Sequence, residues 1–122
     1  MVVKDSSKIA FFSMVPQSRG KVIAVGKNMT MLYGEFEPGV EFPEHSHPHE
    51  QIGYVLEGKC ELKLEGKTYI VEEGYTYSIP SHAKHGWKNV GKEKFAWIDI
   101  FYPVREDLLQ RRFDKEKWEV KP

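Results

Sequence analysis

The sequence predicts an all-β domain closed as a sandwich or barrel, on two observations. Turn signals recur at short intervals, at Gly26-Lys27-Asn28, Glu37-Pro38-Gly39, Glu57-Gly58, Glu65-Gly66-Lys67, Glu73-Gly74, Ile79-Pro80-Ser81 and Asn89-Val90-Gly91. Between them lie short runs rich in β-branched and aromatic residues, over 21–25, 29–36, 53–56, 60–64, 68–71 and 95–102. Many short strands with regular turns, and no long 3.6-residue periodicity before Val104, are the signature of that class.

The elements follow in order. Residues 9–15 are apolar but contain Ser13 and stop at Pro16 without a small-residue cleavage site, so they read neither as a signal peptide nor as a membrane span. The strand runs come next, and Cys60, Leu62 and Leu64 alternate on one face. Cys60 is the only cysteine, which excludes an internal disulfide and makes it a small core residue. Only at 105–113 do helix-forming residues appear, with Leu108, Leu109 and Phe113 at one-face spacing, and a short C-terminal helix is expected on the barrel or on a second subunit. At 122 residues the chain reads as one domain over 1–122. Its eighteen basic and eighteen acidic residues balance, so no field draws nucleic acid and no membrane partner is expected. A cytoplasmic location is the default expectation.

In 95–102 the phase is explicit. Phe95, Trp97, Asp99 and Phe101 share one face, and Ala96, Ile98, Ile100 and Tyr102 share the other. Both faces are apolar, so the strand is expected to be covered on both sides. Asp99 then sits between two aromatics, where burying it unpaired costs several kcal/mol, roughly, and it needs a partner or a task.

All five histidines fall in two clusters, His45, His47 and His49 in EHSHPHEQ and His82 and His85 in SHAKHGW. Neutral imidazole is the commonest metal ligand, and histidines two apart in an extended segment point to one face. The intervals are regular. Gly39 is followed by five residues, His45, one residue, His47, three residues, Gln51, six residues and Gly58; after fifteen more, Gly74 leads through five residues to Pro80, then His82, His85 and Asn89.

This double motif over 39–89 resembles that of the cupin superfamily. The resemblance implies a double-stranded β-helix, or jelly-roll, barrel with the motif side chains converging on one metal ion. It carries the ligand set onto His45, His47, Gln51 and His85, with Gln51 standing where most metal-binding cupins have glutamate. Glu50 is the neighbouring carboxylate, and strand phase turns it away. Three imidazoles and an amide oxygen are neutral, so a bound divalent ion keeps its full charge and favours an anionic substrate. Nickel, zinc, iron, manganese and copper all suit such donors. Because metal binding requires neutral imidazole, occupancy is expected to fall as the pH drops through about 6. His49 and His82 have no motif duty, and His82 stands where cupins usually have glycine.

The run from Trp97 through Arg105 to Asp107, together with Gln51, further resembles the KdgF group of cupins, which convert cyclic 4,5-unsaturated uronates to linear keto sugars. That resemblance places essential acid, aromatic and basic roles on Asp99, Phe101 and Arg105. A carboxyl among aromatics suits proton transfer near neutral pH, and Arg105 can grip a sugar carboxylate through two parallel hydrogen bonds. Phe101 and Trp97 would wall the pocket and stack on the sugar ring. The bland alternatives are a structural bridge from Asp99 to Arg105 or a buried lysine, a solvated first-turn Arg105, and Phe101 and Trp97 as core packing alone. Two other functions stay open, a metal-dependent cupin dioxygenase and a non-catalytic sugar or metabolite binder. A homodimer is expected, with residues 9–15 or the C-terminal helix supplying the interface.

Overall fold

The computed structural model describes residues 3–109. After a single 3₁₀ turn at Ser6–Lys8 come ten strands: β1 Phe12–Ser13, β2 Ser18–Val25, β3 Thr30–Phe36, β4 Glu41–His45, β5 Glu50–Glu57, β6 Lys59–Leu64, β7 Lys67–Glu72, β8 Thr76–Ile79, β9 His85–Lys88 and β10 Phe95–Tyr102. They form two antiparallel sheets, one in the order β1-β2-β3-β10-β5-β8 and one in the order β4-β9-β6-β7. This is the two-sheet jelly roll expected of the chain. Glu106 to Leu109 are helical, and the rest of the predicted helix over 105–113 lies outside the described residues. No helix among the described residues is long and apolar enough to cross a membrane.

The predicted strand runs are all present, and several are longer at their ends. Besides the two-residue β1, strands β4, β8 and β9 are additions to that pattern. Each is short and carries a residue that masks it: Pro43 in β4, alternating polar Thr76 and Ser78 in β8, and Gly86 beside a histidine in β9. Two of them carry histidines of the motif. Predicted turns at Gly58 and Gly74 have φ of +86° and +88°, where a side chain is disfavoured.

The core lies between the sheets. Phe36, Val55, Cys60, Leu62, Val71, Ile79, Phe95 and Trp97 pack there, and Phe12, Val22, Leu32, Phe101 and Leu108 form a second cluster at the end from which the helical turn departs. Residues 9–15 are thus largely spent within the chain, since Ile9 and Phe12 are buried.

The alternation read in β10 holds on its inner face, where Phe95, Trp97, Asp99 and Phe101 are all buried. The outer face departs from the expectation that it is covered. Ile98 and Ile100 are only half-buried and Tyr102 is 54% exposed, next to Ile52 and Tyr54 of β5, each 48% exposed. The N-terminal segment packs instead over β2 and β3, where Phe11 lies against Arg19 and Tyr33.

Candidate active site

The two histidine clusters meet because β4 and β9 are hydrogen-bonded neighbours. His45 and His85 are direct partners in that pair, and His47 follows in the turn leading to β5. Each ring is tethered by Nδ1 to a backbone carbonyl: His45 to Pro43 at 2.9 Å, His47 to His49 at 3.0 Å and His85 to Ala83 at 2.8 Å. A carbonyl only accepts, so each Nδ1 carries a proton, and in the neutral ring each Nε2 keeps its lone pair. Among the described residues these three imidazoles form a group whose ligand atoms all lie within 4.8 Å of one another. Gln51, 3% exposed at the start of β5, turns its Oε1 to within 3.1 Å of His47 Nε2, whereas Glu50 faces solvent.

The electrostatics of the cluster match its geometry. Burial, then the charge of Arg105 and the neighbouring His85, lower the pKa of His47 to about 4. Burial lowers His85 as well. His47 therefore stays neutral well below the pH of about 6 expected from ordinary histidine, and His85 shifts in the same direction. The Nε2 of His85 is buried with no hydrogen-bond partner, a costly state for a lone-pair nitrogen. A divalent transition ion would satisfy it, and three aligned nitrogens with an amide oxygen are a donor set such an ion accepts. The residues present fit the metal that the fold family implies.

Asp99 lies next to this cluster, on β10, 4% exposed. Tyr77 Oη donates to its Oδ1 at 2.5 Å and Trp97 Nε1 donates to its Oδ2 at 2.7 Å. The Gln51 side chain bonds it too, and burial outweighs all three hydrogen bonds, pushing the Asp99 carboxyl up to about 6. The Gln51 amide is oriented by these neighbours. Its N–H₂ can only donate and suits the carboxylate, so its oxygen is the atom left for the histidines.

The alternative of an Asp99–Arg105 bridge does not form, since Arg105 has another partner. Its Nε and Nη2 hold Asp107 Oδ1 and Oδ2 at 2.8 and 2.6 Å. Nor is Arg105 a solvated surface residue. Its side chain is 14% exposed, its guanidinium lies 4.6 Å over the Phe101 ring, and its backbone N–H bonds buried Thr30. The fork expected to grip a sugar carboxylate is thus occupied by a carboxylate of the chain itself. Asp107 escapes a reading of the sequence because a pairing between neighbours on a turn leaves no periodic signal.

Trp97 also differs from expectation. Its ring packs against Phe36 and Phe95 at 4.4 and 5.6 Å and its N–H is spent on Asp99, so it is a wall and a hydrogen-bond donor more than an open stacking face. Phe101 meets His47 edge-on at 5.8 Å and does face the cavity. A cavity of about 270 Å³ joins the histidines, Gln51, Asp99, Phe101 and Arg105. His49 supplies its backbone carbonyl to His47, and His82 is exposed with φ +65° while its N–H bonds His47 O at 2.8 Å. The left-handed backbone at His82 explains why glycine suits that position.

A family model described as "Cupin domain" matches residues 32–101, more than half of the chain. The chain is a cupin. It is 32% identical to the pectin degradation protein KdgF of Dickeya dadantii over 90 residues, covering 73% of this cupin and 81% of that protein. The solved structure of KdgF from a Halomonas species superposes with a TM-score of 0.80 at 28% identity, over 85% of this cupin and 94% of that chain. These matches make it a KdgF-like cupin. It is also 38% identical over 68 residues to the polyketide synthase CurC of Streptomyces cyaneus, spanning 55% of this cupin and only 44% of that relative's length.

Proposed function

We propose that this cupin is a metal-dependent enzyme that converts a cyclic 4,5-unsaturated uronate, or a closely related acidic sugar, to its linear keto form. The observation that carries the reading is a buried carboxyl group, Asp99, sharing one cavity with a three-histidine cluster and an arginine. Similarity to KdgF, a pectin degradation protein, supports the same substrate class.

The reaction is an isomerisation that needs one proton moved between two sites. Asp99, with a pKa near 6, is a carboxylate for much of the time at neutral pH and can take the proton of the ring hemiacetal hydroxyl. The carbon–oxygen bond closing the ring then breaks, leaving an aldehyde and an enolate. The same carboxyl returns its proton to the enolate carbon, giving the ketone, so every atom of the substrate is retained. A divalent ion held by His45, His47, Gln51 and His85 would supply Lewis acidity towards the oxygens on which negative charge grows. Arg105 would hold the sugar carboxylate, exchanging Asp107 for it, and Phe101 would pack on the ring.

The experiment is to follow the cyclic unsaturated uronate by proton NMR with the zinc- or nickel-loaded protein and its Asp99→Asn variant. Loss of the alkene signal well above the spontaneous rate, abolished in the variant, is expected. Oxygen uptake in step with substrate loss would instead favour a dioxygenase.

The expected homodimer belongs to the same proposal, on a different surface. Residues 9–15 are consumed inside the chain, whereas Ile52, Tyr54 and Tyr102 leave an apolar outer face for a second copy. Sedimentation of Tyr54→Glu combined with Ile100→Glu should yield monomer where the unaltered protein yields dimer; equal masses would reject this face.

A further inference from the structure

Asp99 is held by two rings that reach it from positions the chain keeps clear with glycine. In the sheet, Asp99 on β10 lies opposite Gly53 on β5, and Gly53 lies opposite Tyr77 on β8. Tyr77 is therefore two strand spacings from Asp99, about 9.5 Å at the Cα atoms. Its side chain crosses that gap by lying flat over Gly53. A methyl group built on Gly53 would overlap the Tyr77 phenol ring and its hydroxyl. The edge of Trp87 packs on the Tyr77 ring with centroids 4.9 Å apart and planes at 65°, fixing the ring from another strand. The second donor repeats the device: Gly34 of β3 lies opposite Trp97, and a methyl group on it would overlap the indole.

We propose that Tyr77, seated over Gly53, is a positioning residue that fixes the orientation of the Asp99 carboxyl group towards the histidine cluster. An aspartate on a strand turns freely about its last torsion unless both oxygens are held. Here each oxygen receives a donor from an aromatic ring that lies over a glycine, in space a β-carbon would take. Phenylalanine would fill the same space and leave Oδ1 without that donor. Alanine at Gly53 would lift the ring and break the same hydrogen bond from the other side. The two residues therefore act as one unit, and Gly53 is required for its missing Cβ. A reacting group held to within a fraction of an ångström raises turnover without changing how tightly substrate binds.

The inference rests on the proposed reaction for its kinetic readout and on spectroscopy for an independent one. Metal-loaded protein is compared with Tyr77→Phe, Gly53→Ala and the double variant, measuring kcat and KM on the unsaturated uronate and bound metal per chain. Tyr77→Phe and Gly53→Ala are each expected to lower kcat by about tenfold to a hundredfold, with KM and metal content within about twofold. Adding Gly53→Ala to Tyr77→Phe should lower kcat by less than about threefold more. A Tyr77→Phe kcat within about twofold of the unaltered protein overturns the proposal, as do losses that multiply in the double variant. Should Gly53→Ala fail to fold, the space-conserving Tyr77→Phe decides. If the unaltered protein turns over no uronate, the proposed function fails, and proton NMR of the zinc-loaded protein decides the clamp separately. A hydroxyl proton resonance far downfield of the amides, absent in Tyr77→Phe, supports the Tyr77–Asp99 clamp, and its absence in the unaltered protein overturns it.

Discussion

Gln51 Oε1 lies 3.1 Å from His47 Nε2, while the other end of the same side chain bonds Asp99. One amide thus joins the candidate metal donors to the candidate proton carrier. It also gives a reason for glutamine here: a carboxylate at 51 would accept only, and would face Asp99 as a like charge. Gln51→Glu is expected to retain metal and lose at least about tenfold in kcat, because repulsion drives the pair to keep a proton between them. Metal content by atomic emission and kcat on the uronate check this together. Unchanged kcat would remove the role given to the amide.

Arg105 and Asp107 make the second test. The pair means a sugar carboxylate competes with a carboxylate already in place. Asp107→Asn should lower KM for the acidic sugar by about threefold to tenfold, since the competing charge is gone. Arg105→Lys should raise KM by about tenfold, because lysine lacks the paired donors. Steady-state kinetics on both variants would show opposite shifts in KM; shifts in the same direction would mean Asp107 orients Arg105.

The histidines set a pH dependence in the metal-free protein. His47 and His85 titrate lower in the folded chain than in an unfolded one, chiefly through burial. The unfolded chain therefore binds more protons below its own histidine pKa of about 6.5, and stability falls as the pH is lowered from there. That contribution is intact above a pH of about 6.5 and is lost as the pH approaches the His47 value of about 4. Thermal unfolding across that range should show the decline, and His47→Gln should make it shallower.

His82 is a candidate for stabilisation without loss of function. Its φ of +65° is strained for a β-carbon-bearing residue, and its side chain is exposed. His82→Gly should relieve that strain and raise stability by up to about 1 kcal/mol, the gain being limited by glycine's greater freedom in the unfolded chain. Denaturant melts and kcat measured side by side check both halves of the claim.

Cys60 offers a chemical check on the core. Burial pushes its thiol up to about 12, so iodoacetamide at a pH of about 8 should leave it unmodified in the folded protein and label it once denaturant is added. Rapid labelling of native protein would place Cys60 elsewhere.

The parts of this site legible in the sequence are those with fixed intervals or fixed phase. The spacing of His45, His47 and His85 survives because the motif turns have set lengths, and the inward face of Phe95, Trp97, Asp99 and Phe101 follows from a period of two. Tyr77 is out of reach, since its meeting with Asp99 depends on the register of β8, β5 and β10, which no local pattern encodes. Gly53 opposite a buried aspartate is the trace it leaves. Arg105 reads as a free fork because its partner sits two residues on, in a turn without periodicity. The open outer face of β10 runs against expectation because apolar residues on both sides of a strand do not say whether the second cover is the same chain.

Whether the metal-loaded cavity opens an unsaturated uronate is tested by one comparison above the others. The rate of alkene loss from the cyclic 4,5-unsaturated uronate is measured with no protein, with chelator-stripped protein, and with the same protein reloaded with zinc or nickel. The reloaded protein should reach a rate at least about a hundredfold above spontaneous, and stripping should remove most of that gain. A reloaded protein that leaves the sugar turning over at its spontaneous rate would refute the proposed reaction.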